Sequence, residues 1–178
     1  MHRPVLAAFA LVLACPVASA QAQPAAQASA TNTPDGFARA AAENNLSEIL
    51  LATMALQKTS DKRVQDDAWT MLDHHSRALG DLAEALNDGA AALPTEPRAE
   101  QKAMLQRMRG LNGSQFDQAY FTHQLEAHQR AVSLFEQGQQ LADQKLAQYA
   151  RTTLPVLRAH REITQTRQSQ APQPMPGQ

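Results

Sequence analysis

The feature that most constrains this chain is the scarcity of prolines and β-branched residues in its long central segment. Between residues 35 and 167, prolines occur only at Pro94, Pro97 and Pro155. The segment is rich in Ala, Leu, Gln and Glu, which favour helix, and no part of it alternates apolar and polar residues with period two. The sequence therefore predicts an all-α fold with no strands.

Turn and capping residues divide this segment into four long helices. The connection between the second and third reads LPTEP at residues 93–97 and leads into a shorter helix. This pattern predicts an antiparallel four-helix bundle with a short extra helix in its longer crossover. The expected helices are 35 or 37 to 58, 61–87 (ended by Asp88-Gly89), the short helix 98–108, 114–136 (capped by Ser114, with Asp117 in its first turn), and 143–166 with a kink at Pro155.

The two ends of the chain differ in composition from the helical segment. Residues 1–20 contain a short basic start, an apolar run and the small residues Ala18-Ser19-Ala20, the pattern of a cleaved secretory signal peptide. The sequence around Cys15 also permits the alternative of an acylated, membrane-anchored lipoprotein. Residues 21–34 and 168–178 predict a flexible linker and a disordered tail. We therefore expect a bundle domain over residues 35–167 in an exported, periplasmic protein.

Cysteine content and charge limit the classes of function. Cys15 is the only cysteine and lies in the predicted signal, so the mature chain would have no disulfide and no thiolate metal site. The 16 basic and 17 acidic residues form no long block of one sign. Nucleic acid requires a basic field and is therefore not expected as a partner. The apolar run from Val5 is too short to predict a transmembrane segment, and neither a protein partner nor an oligomeric state is indicated.

Each predicted long helix carries one polar group, suited to metal binding or proton transfer, within its apolar stripe. These groups are Glu48, His75, His128 and His160. All four lie near the middle of their helices, and mid-helix positions of antiparallel helices meet in one layer, so we expect them to converge. Two interpretations are open: a buried hydrogen-bonded Glu–His cluster, or one divalent transition metal such as Zn, Cu or Fe.

Further residues are candidates for a supporting role beside this layer. Asp117 and Tyr120 are expected to cap and anchor the third long helix, with contact to the site as the alternative. His74 follows the helix about 100° away from His75, so we expect it at the edge of the stripe rather than inside it. Asn44 is expected to face inward from the first helix. No motif for covalent haem, phosphate binding or nucleophilic catalysis occurs, so no catalytic or cofactor-binding residue is assigned.

Several short motifs match those of one bacterial family. They include Gly113 with Phe116-Asp117 and Tyr120, then His128, and Leu154-Pro155 followed by His160. Over residues 37–160 the chain resembles the exported family called domain of unknown function 4142. That resemblance implies a ferritin-like helical fold and leaves the function unassigned.

The resemblance also implies a set of site residues. The family's first-helix glutamate falls on Glu48, its Asp-His pair on His74-His75, and its two later histidines on His128 and His160. The aspartate of that pair is replaced here by His74, which implies an altered site.

Activity of the di-iron ferritin type is not expected from this sequence. Such sites need two Glu-x-x-His pairs, whereas Glu126 and His128 are only two residues apart. The leading hypothesis is therefore a non-enzymatic metal-binding protein of the cell envelope. The alternatives are a structural or envelope-stress protein acting through protein partners, and a metal-dependent oxidoreductase.

Overall fold

A computed structural model describes residues 31–87 and 92–169, which form helices joined by short connections. As predicted, the described residues form no strand. The predictions for residues 1–30, the Asp88-Gly89 stop and most of the C-terminal tail lie outside these ranges. The helices are α1 (Pro34–Lys58), α2 (Lys62–Leu86), α3 (Ala99–Gly110), α4 (Gly113–Gly138) and α5 (Gln144–Ser169). None of these helices has the length and apolar character needed to cross a membrane.

Short polar side chains fix where three of the helices begin. The Thr33 hydroxyl accepts from the Gly36 amide at 3.1 Å and caps α1, whose first residue is a proline. Asp61 caps α2 by accepting from the Arg63 amide at 2.8 Å. Asp143 accepts from the amide of Leu146 at 3.0 Å, so α5 begins one residue later than predicted.

Two predictions about α4 and α5 need correction. The N-cap of α4 is Asn112 rather than Ser114, because Gly113 adopts a φ of 52° that only glycine tolerates easily and already belongs to the helix. Asp117 therefore lies beyond the first turn, and its carboxylate accepts from the Thr59 hydroxyl at 2.5 Å. At the other end of the fold, α5 continues through Pro155 to Ser169 and is longer than predicted.

Side-chain contacts define the directions of the long helices. The start of α1 meets the end of α4, where the Phe37 and Phe135 rings pack edge to face with centroids 5.2 Å apart. Likewise, Asp67 near the start of α2 pairs with Arg167 near the end of α5, with 2.9 Å between Oδ1 and the guanidinium. Helices α1 and α4 are therefore antiparallel, and so are α2 and α5.

Helix α3 returns the chain across the bundle before α4 begins. The Gln101 amide, in its first turn, donates to Asn44 Oδ1 of α1 at 2.8 Å. At its other end, Lys58 of α1 donates to the Arg109 carbonyl at 2.9 Å. Helix α3 therefore runs alongside α1 in the same direction. Because it carries the chain back along the bundle after α2, α4 can run in the same direction as α2.

The apolar core is divided into two clusters by a polar layer. One cluster surrounds the rings of Phe37, Phe135 and Tyr149, and the other surrounds those of Phe116 and Tyr120. Burial of such side chains stabilises the fold by about 1.5–3 kcal/mol each. The buried polar side chains between and beside the clusters are Asn45, Ser47, Glu48, Thr59, Asp67, His75, Gln124, His128, His160 and Thr164.

Candidate metal centre

Three histidines from three helices meet in the polar layer. His75 of α2, His128 of α4 and His160 of α5 each offer a ring nitrogen within 4.8 Å of the other two. Each side chain is at most 4 % exposed. We call this set the three-histidine cluster. Its members come from the middle of apolar helix stripes, which is why the sequence predicts their convergence.

A main-chain hydrogen bond fixes the tautomer of His128. Its Nδ1 lies 2.8 Å from the carbonyl oxygen of Gln124, one turn earlier in α4. A carbonyl oxygen can only accept, so Nδ1 carries the proton and donates. The lone pair of the neutral ring therefore lies on Nε2, which faces the other histidines.

Asn45 orients His75 in the same way. The side-chain amide nitrogen of Asn45 lies 3.3 Å from the Tyr149 hydroxyl. The amide oxygen of Asn45 therefore accepts from His75 Nδ1 at 2.9 Å. The lone pair of neutral His75 is therefore on Nε2. That atom is buried and has no hydrogen-bond partner among the described residues. An unpartnered buried acceptor is costly, and a metal ion would satisfy it.

His160 links the cluster to a fourth histidine. Its Nδ1 lies 3.2 Å from His128 Nε2, and its Nε2 lies 2.8 Å from His74 Nδ1. Because His128 Nε2 can only accept, the hydrogen bonds of the neutral rings run from His74 to His160 and from His160 to His128. The His74 and His160 rings are also stacked, with centroids 5.0 Å apart. His74 thus lies at the flank of the cluster and contacts it directly.

Burial keeps the cluster in its neutral form. Desolvation lowers the pKa of His75 and His128, and it lowers the pKa of His160 to about 3. The neighbouring histidines lower the pKa of His75 and His160 further, since a second positive charge nearby is unfavourable. Neutral imidazole is the form that binds a metal ion, so no proton has to leave at pH 7.

Acid is expected to destabilise the metal-free protein through these rings. A histidine whose pKa is lower in the folded than in the unfolded protein contributes stability at pH values above its unfolded-state pKa of about 6.5. This contribution is lost as the pH falls toward the folded-state pKa. For His160 the loss between pH 7 and pH 5 is about 2 kcal/mol. Urea unfolding in the presence of a chelator measures it.

The matched variant for this measurement is His160→Gln. Burial raises the pKa of Glu48 and Asp67, so these groups change stability with the opposite sign between the same pH values. The comparison between proteins therefore isolates the histidine: the variant should lose about 2 kcal/mol less than the native chain from pH 7 to pH 5. Equal losses would contradict the prediction.

Glu48 lies in the same layer but outside the three-histidine cluster. Its Oε2 accepts from the Gln124 amide at 2.7 Å, and the side chain is 5 % exposed. Desolvation is the largest influence on Glu48 and raises its pKa. The structure thus brings together three of the four predicted ligands and places the carboxylate beside them. Whether Glu48 binds a metal stays a prediction.

A cavity of about 60 Å³ lies between α1 and α4 next to the cluster. Both His75 and His128 line it, as does Glu48. We call it the α1–α4 cavity. Its remaining lining residues are Asn44, Asn45, Ser47, Arg98, Gln101, His123, Ala127, Arg130, Ala131, Phe135 and Leu157.

A second buried polar group occupies α2 one turn before Met71. Asp67 is 1 % exposed, and its carboxylate accepts from the Tyr120 hydroxyl at 2.9 Å and from Arg167 at 2.9 Å. Tyr120 therefore donates its hydrogen bond to Asp67 rather than to a histidine. Asp67 is not among the predicted site residues, although its position three residues after Val64 and four before Met71 places it on the inward face.

Asn45, rather than its neighbour Asn44, is the buried asparagine of α1. The helical period predicts that Asn44 faces inward, but Asn44 is half-buried and accepts from Gln101 of α3. Asn45, which supports His75, is the buried residue of the pair. Both positions fit a helical period around Ala41 and Glu48, so periodicity alone does not distinguish them.

Comparisons with known proteins identify a family and no individual relative. Neither the curated proteins nor the solved structures contain a significant match to this chain. The family model described as domain of unknown function, DUF4142, matches residues 19–166. That match spans most of the chain, including all the residues of the polar layer, so the chain belongs to the DUF4142 family.

Proposed function

We propose that this protein binds one divalent transition metal ion at His75, His128 and His160. The observation that carries the proposal is the convergence of three buried, neutral imidazoles, one of which has a ring nitrogen with no partner in the described part of the chain. Three nitrogen ligands with a remaining open position are typical of zinc, and imidazole also suits copper and iron. No catalytic role is assigned to any residue.

The hydrogen bonds around the cluster support this role. Nε2 of His75 and Nε2 of His128 are the expected ligand atoms, because the Nδ1 protons are held by Asn45 and the Gln124 carbonyl. His160 would bind through Nδ1 once its proton is on Nε2, where it donates to His74. His74 is therefore proposed as the group that orients His160, in place of the family's aspartate.

The arrangement and location of the bundle form a second part of the proposal. Helix directions along the chain, with α1 and α5 opposite to α2 and α4, support a ferritin-like four-helix bundle with α3 in its crossover. We propose that residues 1–20 direct export to the periplasm, with a lipid anchor at Cys15 as the alternative. The sequence features of the N-terminus support export.

A specific observation also favours a structural role without metal. The hydrogen bonds from His74 to His160, from His160 to His128, and from His128 to Gln124 satisfy these rings without any ion. In that case the polar layer stabilises the bundle, and the protein acts through partners at its surface. Metal content distinguishes this alternative from the main proposal.

Elemental mass spectrometry of protein purified without chelators tests the proposal. We expect one transition metal ion per native chain, and loss of that metal in the variant His128→Gln. The control is His123→Gln, because His123 is a half-buried histidine of the same helix that lines the α1–α4 cavity but is not a member of the three-histidine cluster. Metal-free native protein that also fails to bind added zinc, copper or iron would favour the structural role.

A further inference from the structure

We infer that the α1–α4 cavity admits a small anion, which binds the metal ion at its open coordination position. This inference rests on the proposed metal site and adds to it a class of ligand. It would make the protein a binding site for small anions rather than a closed metal store.

The geometry of the cavity gives the direction of the open position. His75 and His128 line the cavity, whereas His160 is not among the lining residues. An ion held by all three rings would therefore border the cavity on the side of His75 and His128, where its open position is expected. His75 belongs both to the cluster and to the cavity lining, and it is only 4 % exposed. Its Nε2 has no hydrogen-bond partner among the described residues.

The size of the cavity limits the ligand to a few atoms. Its volume of about 60 Å³ leaves room for roughly four water-sized groups. A linear or trigonal molecule of three or four heavy atoms fits this space. The polar lining also includes Asn45, Ser47 and Gln101.

The charges around the cavity favour an anion. A divalent ion bound by three neutral imidazoles keeps its full positive charge, which needs compensation in a buried site. Arg98 and Arg130 line the cavity, the first half-buried and the second exposed, and among the described residues the lining contains a single carboxylate, that of Glu48. Arg130 has one long ion pair, with Glu126 at 3.8 Å, whereas Arg98 pairs with Glu43 at 3.9 Å and with Glu100 at 3.5 Å.

Azide titration of the cobalt(II)-loaded protein tests the inference. Cobalt(II) replaces zinc in nitrogen sites and gives a visible spectrum that depends on its ligands. We expect azide to shift this spectrum with a saturable curve and to add a charge-transfer band, while perchlorate at the same concentration leaves the spectrum unchanged. A histidine-bound cobalt spectrum that azide does not alter would overturn the inference and leave the metal site standing. Absence of bound cobalt, together with failure to bind zinc, copper or iron, would overturn the metal site itself.

Two pairs of matched variants locate the anion in the cavity. Ala127→Leu places a larger side chain in the cavity and should weaken azide binding about tenfold or more. Its control is Ala119→Leu, at a half-buried alanine of the same helix outside the cavity, which should leave azide binding unchanged. Arg130→Gln should weaken it about two- to fivefold, the range for a partly screened charge. Its control is Arg77→Gln, an exposed arginine that also pairs with an acid four residues away.

The charge variants keep the test decisive if Ala127→Leu destabilises the bundle. Arg130 is exposed enough for its removal to leave the core intact, which circular dichroism would check. Azide affinities that are equal in the native, Arg130→Gln and Ala127→Leu proteins would place the anion elsewhere and contradict the inference.

Discussion

Zinc is expected to raise the melting temperature of the native protein by about 10 °C and to leave that of the His75→Gln variant nearly unchanged. A ligand that binds only the folded state adds about 4 kcal/mol at a free concentration 1,000 times its dissociation constant. For a helical domain of this size, that energy corresponds to a shift of roughly 10 °C. The glutamine retains a side-chain donor for Asn45 but removes the Nε2 ligand atom of His75.

Differential scanning calorimetry with zinc and with a chelator makes this measurement. His123→Gln is the control and should show the full zinc-dependent rise, because His123 is outside the three-histidine cluster. A rise of the same size in His75→Gln would place zinc at another site. No rise in the native chain would contradict zinc binding by the folded state.

Replacing Asp67 by alanine is expected to destabilise the protein by about 3 kcal/mol or more. The change removes the partner of the buried Tyr120 hydroxyl and of the partly buried Arg167 guanidinium. Breaking a buried pair from one side leaves an uncompensated polar group, and costs of about 3–5 kcal/mol are typical. Denaturant unfolding at pH 7 measures the free energy of unfolding directly.

The neighbouring residue provides a matched control. Asp66→Ala removes an exposed carboxylate of the same helix, which pairs with Lys62 at 3.5 Å, and should change stability by less than about 0.5 kcal/mol. A double-mutant cycle with Tyr120→Phe then separates the Asp67–Tyr120 bond from the ion pair. Equal effects of Asp66→Ala and Asp67→Ala would show that burial of Asp67 has no energetic consequence.

The helices were predictable from sequence because their stop and start signals are local. Thr33, Asp61 and Asp143 cap helices within one or two residues of the expected starts. The start of α4 was not predictable to this accuracy, since Ser114 and Asn112 are both good capping residues. The positive φ of Gly113, which decides between them, depends on how the connection packs.

The candidate site was predictable in its residues but not in its connections. Apolar stripes identified His75, His128 and His160 because a histidine in the middle of an apolar stripe is visible in sequence. The contact between His74 and His160 was not visible, because α2 faces both α4 and α5 and its buried surface is wider than one stripe. Which ring nitrogen bonds to which partner depends on distances of a few tenths of an ångström, which no spacing rule contains.

The polar layer between the two apolar clusters also determines how the helices can be aligned. Apolar side chains of similar size exchange neighbours at little cost, so a bundle with a uniform core tolerates a shift of one helix by a turn. Such a shift of α5 would move His160 away from His74 and His128, and Arg167 away from Asp67, leaving buried donors and acceptors unmatched. Each unmatched group costs about 1–3 kcal/mol. The layer thereby selects a single register of the four helices during folding, with or without a metal ion.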